Sequence, residues 1–420
     1  MKFEMEHIGK IHSSSIELDG ITLIAGDNSS GKTTIAKALY GALSPVSNFY
    51  ERVMDSRLDS IGKFAGDWFS NAIVSHTIVE RNAGMVTNRR FRQSFINLMF
   101  HTNESFDNNF RFTEKYLRTF VQNSFSNYKN TDFITSDETS RAISAMNEAW
   151  QRSDEAYASM IFAQELNNQF RNQIKTFDYS GVSKLRIDNF SIQISDKGIE
   201  KIVLPEPIDI LQGGSVVYFA ALREFSNESP FTANTNLTEL IKKSSMLDSP
   251  DLVYEEFIAN KEMIQEFRGI IEDIIRGHFK ETDIGLQFVE NDYPNKQIAM
   301  ENTASGILPF AIIDRLIENG TLSRNSVLII DEPEMNLHPE WQIAFGKLLV
   351  SLAEKLAIKS LLISHSPYFI RAIEKTLSQN NSVKSAFYLM SPKDKLYTAE
   401  NVTDKVGQIY EHLYKPLEEL

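Results

Sequence analysis

Residues 26–33, with the sequence GDNSSGKT, have the residue types and the spacing of a loop that wraps an anion. An apolar run, Ile21–Ala25, precedes them, and a helical pattern with Ile35, Ala36 and Leu39 on one face follows. Glycines let main-chain N–H groups turn toward an anion, and a helix N-terminus adds partial positive charge. The pattern therefore predicts a phosphate-binding loop between a strand and a helix.

Two side chains at the end of the loop can do specific chemistry. Lys32 is expected to reach the β- and γ-phosphates of a nucleoside triphosphate and counts among the candidate catalytic residues, and the Thr33 hydroxyl is suited to hold Mg²⁺. A chance match in a glycine- and serine-rich turn is disfavoured by the strand and the helix on either side. The residues predicted to contact ATP in this loop are Gly26, Asn28, Ser29, Ser30, Gly31, Lys32, Thr33 and Thr34.

A second pattern, VLIIDEPE at 327–334, places two acids directly after a continuous apolar run. Such a run predicts a buried central strand, and open α/β sheets bind ligands at the carboxyl ends of their strands. Asp331 is suited to hold Mg²⁺ through water, and Glu332 to deprotonate the water that attacks the γ-phosphate. The alternative is that these acids only cap the following helix, and the phosphate-binding loop upstream disfavours it.

Two further patterns are weaker on their own. The sequence LLISHSP at 361–367 ends an apolar strand at His365, a candidate for contact with the γ-phosphate, although a lone histidine is more often structural. The sequence NTASG at 302–306 places Ser305 and Gly306 before an apolar-periodic helix. A small Ser-Gly pair at a helix N-terminus is one half of an anion site, but an ordinary helix cap explains it more simply.

The elements that must position these residues fall into three kinds of region. Residues 1–45, 180–225 and 285–420 carry short strand-like runs and amphipathic helices, which predict one α/β layer with parallel strands. Residues 46–179 and 226–284 carry long helical patterns and predict two helical insertions. Because no heptad is sustained over several turns, we expect compact insertions rather than a long coiled coil.

Composition narrows the classes of function. The chain has no cysteine, which excludes disulfides and thiolate metal sites and fits a cytoplasmic protein. A formal net charge of −13 argues against a broadly basic surface for nucleic acid, and the segment 88–92, NRRFR, is the best local basic candidate. No apolar run is long enough to cross a bilayer, so no membrane role is predicted.

The order of the motifs GDNSSGKT, NTASG, VLIIDEPEMNLHP and LLISHSP resembles the ATP-binding-cassette ATPases of the branch that contains the SMC, RecF, RecN and OLD proteins. This resemblance implies an α/β P-loop NTPase of ABC-ATPase head type with helical insertions. It implies that Ser305 and Gly306 contact the γ-phosphate bound by an opposite subunit, and that His365 is the switch histidine. It makes 335–338, with Asn336, a D-loop that crosses the interface of a head-to-tail dimer or higher oligomer. The glutamine of the Q-loop is not placed.

A narrower resemblance rests on DEPEMNLHPEWQ, ISHSPYFIRAIE and IYEHLYKPLEEL, which are similar to compact anti-phage ATPases such as PtuA of Septu and its retron-linked relatives. It implies an ATPase subunit that controls a separate effector protein, such as a nuclease. Ile307 and Leu308 stand where transporters of the family carry Gly-Gln, so a transporter role is disfavoured. Two alternatives stay open: a RecF- or SMC-like repair ATPase that binds DNA directly, and an ATP-dependent scaffold with little turnover.

Overall fold

The computed structural model describes residues 1–76, 94–96, 110–124, 137–220, 237, 240–241, 243, 245–248, 254–282, 285–380 and 382–418. The basic segment 88–92 lies outside these residues. The chain divides into two compact units, the first made of Met1–Ser47 with Ala163–Leu420 and the second of Asn48–Phe162. No described helix is both long enough and apolar enough to cross a membrane.

The described strands form one large sheet and one small sheet. They are β1 (Lys2–Ile8), β2 (Ile11–Glu17), β3 (Ile21–Ala25), β4 (Ser183–Ile187), β5 (Phe190–Ser195), β6 (Gly198–Val203), β7 (Val216–Ala220), β8 (Gly277–Thr282), β9 (Gly285–Glu290), β10 (Ile298–Ala299), β11 (Val327–Asp331), β12 (Lys359–Ile363), β13 (Ser385–Lys393) and β14 (Leu396–Asn401). The eleven-stranded sheet has the order β6-β5-β4-β1-β2-β14-β13-β3-β12-β11-β7, and β10-β9-β8 form the small sheet.

The described α-helices are numbered in chain order. They are α1 (Lys32–Leu43), α2 (Phe49–His76), α3 (Glu114–Ser124), α4 (Asp137–Gln151), α5 (Asp154–Phe170), α6 (Tyr254–Ile275), α7 (Leu308–Glu318), α8 (Pro339–Leu356), α9 (Pro367–Ser378) and α10 (Gly407–Glu418). A short 3-10 turn, Ser305–Ile307, precedes α7.

The parallel part of the large sheet determines where the site lies. Strand β3 pairs in parallel with both β12 and β13, β12 pairs with β11, and β11 pairs with β7. Every residue of β3 and of β11 is buried, which is the pattern of central strands covered on both faces. Because parallel strands end at the same edge of a sheet, the loops that follow β3, β11 and β12 meet there.

The antiparallel part of the sheet has a different pattern of burial. In β4 and β5 buried residues alternate with exposed or half-buried ones, so one face packs on the core and the other faces solvent. The pairs β1–β2, β1–β4 and β4–β5 are all antiparallel. This region extends the sheet beyond β14 but contributes none of the strand ends that carry the predicted motifs.

Helix α6 packs into the core of the first unit. It buries Ile264, Phe267 and Ile271, which recur at helical spacing and join the same apolar cluster as α7 and α8. Strand β8 then follows within the same segment. Residues 226–284 were predicted as a second helical insertion, but their described part does not form a separate unit, because the apolar face of α6 is covered by the core of the head.

The second unit is helical and has a core of its own. Its apolar cluster includes Ile61, Phe69, Phe95 and Met146, all fully buried. A hydrogen bond from Trp68 Nε1 to Thr139 Oγ1, 2.9 Å long, joins α2 to α4. This unit, Asn48–Phe162, is narrower than the predicted insertion at 46–179, since the end of α5 and the segment after it belong to the first unit.

Candidate functional site

The phosphate-binding loop leaves β3 through a glycine and enters α1 through another. Gly26 has φ 145°, and a Cβ there would lie 2.7 Å from Cβ of Met390. Gly31 has φ 91°, and a Cβ there would lie 2.7 Å from Cδ1 of Ile11. Side chains rarely adopt such backbone angles, and neither position has room for one. The loop is therefore folded tightly against β2 and β13, which keeps its main-chain groups close to one another.

Lys32 is folded back against the loop that precedes it. Its Nζ donates to the carbonyl oxygens of Gly26 and Asp27, at 2.8 and 2.7 Å, and its side chain is buried. Burial lowers the pKa of the ammonium, while the negative charges of Asp331 and Asp27 act in the opposite direction. The loop thus holds a cation that lacks a full shell of water, as a site for phosphates needs.

The remaining loop residues differ in exposure. Asn28 and Ser29 are exposed, and Ser29 has a positive φ of 63°. Ser30 is fully buried, and its hydroxyl has no hydrogen-bond partner in the described part of the chain. Thr34 is half-buried and lies against Gly9 in the turn between β1 and β2. An unsatisfied buried hydroxyl is costly, so the Ser30 hydroxyl fits a loop that gains partners when it takes up phosphates.

Thr33 and Asp331 come together although they are 298 residues apart in the chain. The Thr33 hydroxyl donates to Oδ2 of Asp331 at 2.6 Å. Burial raises the pKa of Asp331 to about 6, against the opposing effect of that hydrogen bond. Hydroxyl and carboxylate oxygens are the ligands that Mg²⁺ prefers. A cation between the two oxygens would offset the cost of burying the Asp331 carboxylate, so Thr33 and Asp331 fit a magnesium site.

Glu332 lies at a sharp turn of the chain after β11. Its φ is 58°, a left-handed conformation that costs a residue other than glycine about 1–3 kcal/mol. Its N–H donates to the carbonyl of Ile363 at the end of β12, with a length of 2.8 Å. The bond fixes the turn, and the side chain of Glu332 is half-buried beside Asp331.

His365 follows β12, and its side chain is about half exposed. Glu334, which sequence reasoning did not assign, is buried and accepts hydrogen bonds from the N–H groups of His365 and Ser366 at 2.8 and 3.1 Å. Nδ1 of His365 lies 3.2 Å from the same carboxylate oxygen. The signal for Glu334 is a third acid shortly after Asp331 and Glu332, close to a buried strand, where a carboxylate needs a partner. The sequence could not show that the partner is His365.

Ser305 and Gly306 lie beside the predicted D-loop of the same chain. A Cβ on Gly306 would lie 2.9 Å from the carbonyl oxygen of Asn336 and 3.1 Å from the ring of Trp341. Ser305 and Asn336 are both exposed, and Asn336 has a positive φ of 61°. Within the described residues no hydrogen bond or ion pair joins Ser305 or Asn336 to the phosphate-binding loop. The predicted site residues therefore lie in two groups, one around the phosphate-binding loop and one around Ser305 and Asn336.

Two contacts around the loop have no counterpart in the motif patterns. Nζ of Lys10 donates to the carbonyl oxygen of Ser29 at 3.1 Å. Nε2 of His412, on α10, lies 2.8 Å from Oδ1 of Asp27. Lys10 lies outside the quoted motifs, and His412, although it belongs to IYEHLYKPLEEL, reaches the loop from a helix that is distant in the sequence.

Comparison with solved structures finds chains of SMC heads over nearly the whole length. Similar structures include the SmcHead bound to the C-winged helix domain of ScpA (11% identity, 97% of this chain and 98% of that chain, TM-score 0.46), an SMC head domain from Thermotoga maritima (9%, 96% and 98%, 0.39) and the Smc head domain with an extended coiled coil bound to the C-terminal domain of ScpA from Pyrococcus furiosus (11%, 100% and 98%, 0.42). No curated protein matches the chain significantly.

Residues 8–370 match the family described as AAA ATPase domain, AAA_15. The match spans both acidic and glycine-rich motifs and most of the large sheet. Together with the parallel strands and the phosphate-binding loop, it confirms the predicted fold class, an α/β P-loop NTPase of ABC-ATPase head type, with Asn48–Phe162 as a separate helical unit. The narrower resemblance to anti-phage ATPases stays a prediction. The chain belongs to the AAA_15 family of AAA ATPase domains.

Proposed function

We propose that this protein binds ATP with Mg²⁺, hydrolyses it to ADP and phosphate, and closes as a head-to-tail pair of heads while ATP is bound. The observation that carries the proposal is the hydrogen bond between Thr33 and Asp331, which brings the phosphate-binding loop against the acidic end of β11. A phosphate cradle, oxygen ligands for a cation and an adjacent carboxylate base are the parts that phosphoryl transfer to water requires.

The surroundings of each side chain support its role. Lys32 carries positive charge against the phosphates from within the loop. Thr33 and Asp331 hold Mg²⁺, which when bound neutralises charge on the phosphate oxygens. Glu332, on its strained turn beside Asp331, accepts the proton of the attacking water. His365, after the adjacent strand β12, contacts the γ-phosphate.

The second group of residues serves the partner's nucleotide in this proposal. Ser305 and Asn336 are exposed and face away from the core, and Gly306 lets the turn approach the D-loop closely. Their hydroxyl, amide and main-chain groups suit the γ-phosphate held by a second copy. Closure then excludes water from both sites, so that nucleotide state sets the distance between two heads.

A wider role rests on the motif resemblance alone. In it, the protein is the cytoplasmic ATPase subunit of an anti-phage defence complex and controls a separate effector such as a nuclease. A repair ATPase that binds DNA directly would instead show salt-sensitive, ATP-dependent affinity for duplex. A scaffold would bind ATP and assemble but turn over little. Affinity for duplex at two salt concentrations and a turnover assay separate the three.

Mixing two defective chains tests the head-to-tail arrangement. A Ser305→Arg chain and a Lys32→Ala chain should each be inactive alone, because every composite site needs Lys32 from one chain and Ser305 from the other. In a mixed dimer one site has both defects and the other has neither, so part of the turnover should return. If both sites must hydrolyse ATP together, turnover stays low even in the mixed dimer. ATP-dependent dimerisation and the amount of nucleotide bound per dimer are therefore measured as well.

The control for the mixing experiment is Ser378→Arg, the same change at an exposed serine near the end of α9. This chain should hydrolyse ATP alone. A Ser305→Arg protein that hydrolyses ATP at the normal rate as a monomer would rule out the head-to-tail arrangement.

A further inference from the structure

Glu334 stands out among the acids near the site because it is buried. Its side chain is only 6% exposed, and it follows Glu332 and Pro333 in the turn after β11. The carbonyl oxygen of Glu334 accepts from the N–H of Leu337 at 3.1 Å, so the turn itself closes at this residue. A buried carboxylate is costly unless it is fully paired. The contacts of the Glu334 carboxylate therefore indicate its role.

One oxygen of the carboxylate makes all of its polar contacts. Oε1 accepts from the N–H of His365 at 2.8 Å and from the N–H of Ser366 at 3.1 Å, and it lies 3.2 Å from Nδ1 of His365. Two of these contacts cap the end of β12, and the third reaches the imidazole ring. The same oxygen thus fixes both the main chain and the side chain of the histidine.

The other oxygen has no protein partner. Within the described part of the chain, Oε2 of Glu334 is buried and makes no hydrogen bond. The negative charge of Glu334 also acts on two residues of the phosphate-binding site. It raises the pKa values of Lys32 and Asp331, although burial is the main cause of the pKa shift at both. If Glu334 were only a cap for β12, an amide would serve as well and would avoid a buried charge.

We propose that Glu334 is a positioning residue of the ATP site, which holds Nδ1 of His365 so that Nε2 is the ring nitrogen left to face the nucleotide. The inference rests on the proposed function and adds to it the group that orients the histidine. A histidine ring turns freely unless one nitrogen is engaged, and the engaged nitrogen determines which face the other presents.

A double-mutant cycle tests this coupling. Glu334→Gln keeps an oxygen for the two main-chain N–H groups but removes the charge. It should lower kcat about 10- to 100-fold, the range known for groups that orient metal-ligating histidines. In a His365→Ala background the same change should lower kcat less than about twofold, because its effect passes through the ring. Equal losses in both backgrounds, or no loss in the wild type, would overturn the proposal.

Asp314→Asn is the matched control. Asp314 is also a buried carboxylate of the first unit, paired with Arg268 on α6 at 3.2 Å, and it lies outside the nucleotide machinery. Asp314→Asn should change kcat by a similar small factor with and without His365. If Glu334→Gln fails to fold, Glu334→Asp keeps the charge but withdraws it by one methylene, and a loss confined to the background with His365 is again expected.

A measurement on the ring itself separates this inference from the proposed function. Long-range ¹H–¹⁵N spectra of the histidines, with His365→Ala for assignment, report which ring nitrogen carries the proton. Glu334→Gln should move His365 away from the Nδ1-protonated state, and Asp314→Asn should not. An unchanged His365 spectrum refutes the positioning role even if turnover falls. A wild type that never hydrolyses ATP refutes the proposed function, while the spectra still decide the role of Glu334.

Discussion

The phosphate-binding loop and the Ser305–Gly306 turn are held by the chain in different ways. The loop is held by bonds to its own chain: Lys32 bonds two loop carbonyls and Thr33 bonds Asp331, although the buried Ser30 hydroxyl has no partner among the described residues. The turn is covered behind, where Gly306 meets the main chain of Asn336, but Ser305 is exposed in front. One half of the site is thus held by its own core, and in the proposed head-to-tail arrangement the other half presents its groups to a second copy of the chain.

This difference separates two energetic roles. Buried and bonded groups need little rearrangement when a ligand arrives, so they supply affinity. Exposed groups on a turn add to nucleotide binding only when a second protein surface reaches them. Their contribution to binding therefore depends on assembly. The comparison predicts that substitutions in the loop weaken binding by a single chain, whereas substitutions in the turn weaken only what two chains do together.

The largest effect should come from Glu332→Gln. The amide keeps the size of the side chain but cannot accept the proton of water, so turnover should fall about 10²- to 10⁴-fold. ATP and Mg²⁺ should still bind, since Thr33 and Asp331 are unchanged. Single-turnover hydrolysis and equilibrium binding are measured on the same preparation. Unchanged hydrolysis would assign the base to another residue.

The comparison itself is tested by Lys32→Ala beside Ser305→Ala. Removing Lys32 deletes charged hydrogen bonds worth about 1.5–3 kcal/mol each, so ATP affinity of the isolated chain should fall at least about tenfold. Ser305→Ala should leave that affinity within about twofold and reduce ATP-dependent dimerisation instead. Binding is titrated at protein concentrations below and above dimerisation. If Lys32→Ala and Ser305→Ala both lower the ATP affinity of the monomer, the phosphate-binding loop and the Ser305–Gly306 turn do not differ in this way.

Asp331→Asn should make the nucleotide-free protein more stable at neutral pH. Because the pKa of Asp331 is raised to about 6, its charged form is disfavoured by the fold. The stability that the protonated acid contributes is present below about pH 4 and lost as pH rises through about 6. Removing the charge should therefore raise the unfolding free energy by up to about 3 kcal/mol at pH 7 and by little at pH 4.

Thermal melts at both pH values, without nucleotide or Mg²⁺, measure this gain. Asp19→Asn is the control, since Asp19 is an exposed acid paired with Lys384 and should change the melt little at either pH. Magnesium-dependent ATP affinity should fall in Asp331→Asn alone. A variant that is less stable than the wild type at pH 7 would contradict the cost assigned to the buried charge.

The smallest effect should come from His412→Ala. The partner acid, Asp27, is largely exposed, so the pair contributes less than about 1 kcal/mol and ATP affinity should change less than about fivefold. Gly26 and Lys32 hold the loop without it. Affinity at low and high salt measures the contribution, and a loss as large as that of Lys32→Ala would show that α10 is part of the phosphate cradle.

The central site could be predicted from sequence because its determinants are local. Strand β3 is found at Ile21–Ala25 as expected, and Asp331 ends β11 where a buried apolar run ends. The phosphate-binding loop and Asp331 meet because β3 and β11 run parallel on either side of β12 and end at the same edge of the sheet. At these positions a few adjacent residues are enough to predict which side chains are buried and which are polar.

The rest depends on contacts between distant segments. Glu334 meets His365 only once β11 and β12 are side by side, and His412 meets Asp27 only once α10 has packed. Helix α6 has an apolar face that suits an independent helical unit as well as a head, and only its packing decides. Periodicity shows that a face is buried but not against what, so these parts could not be predicted.

The position of β3 has a consequence for synthesis of the protein. Its two neighbours in the sheet are β12 and β13, which lie at residues 359–363 and 385–393. At roughly 5–20 residues per second, a ribosome makes β12 about 20–70 s after β3. Throughout that interval the nascent chain carries its phosphate-binding loop without either neighbour. Chains that terminate before residue 359 therefore lack both strands that flank β3.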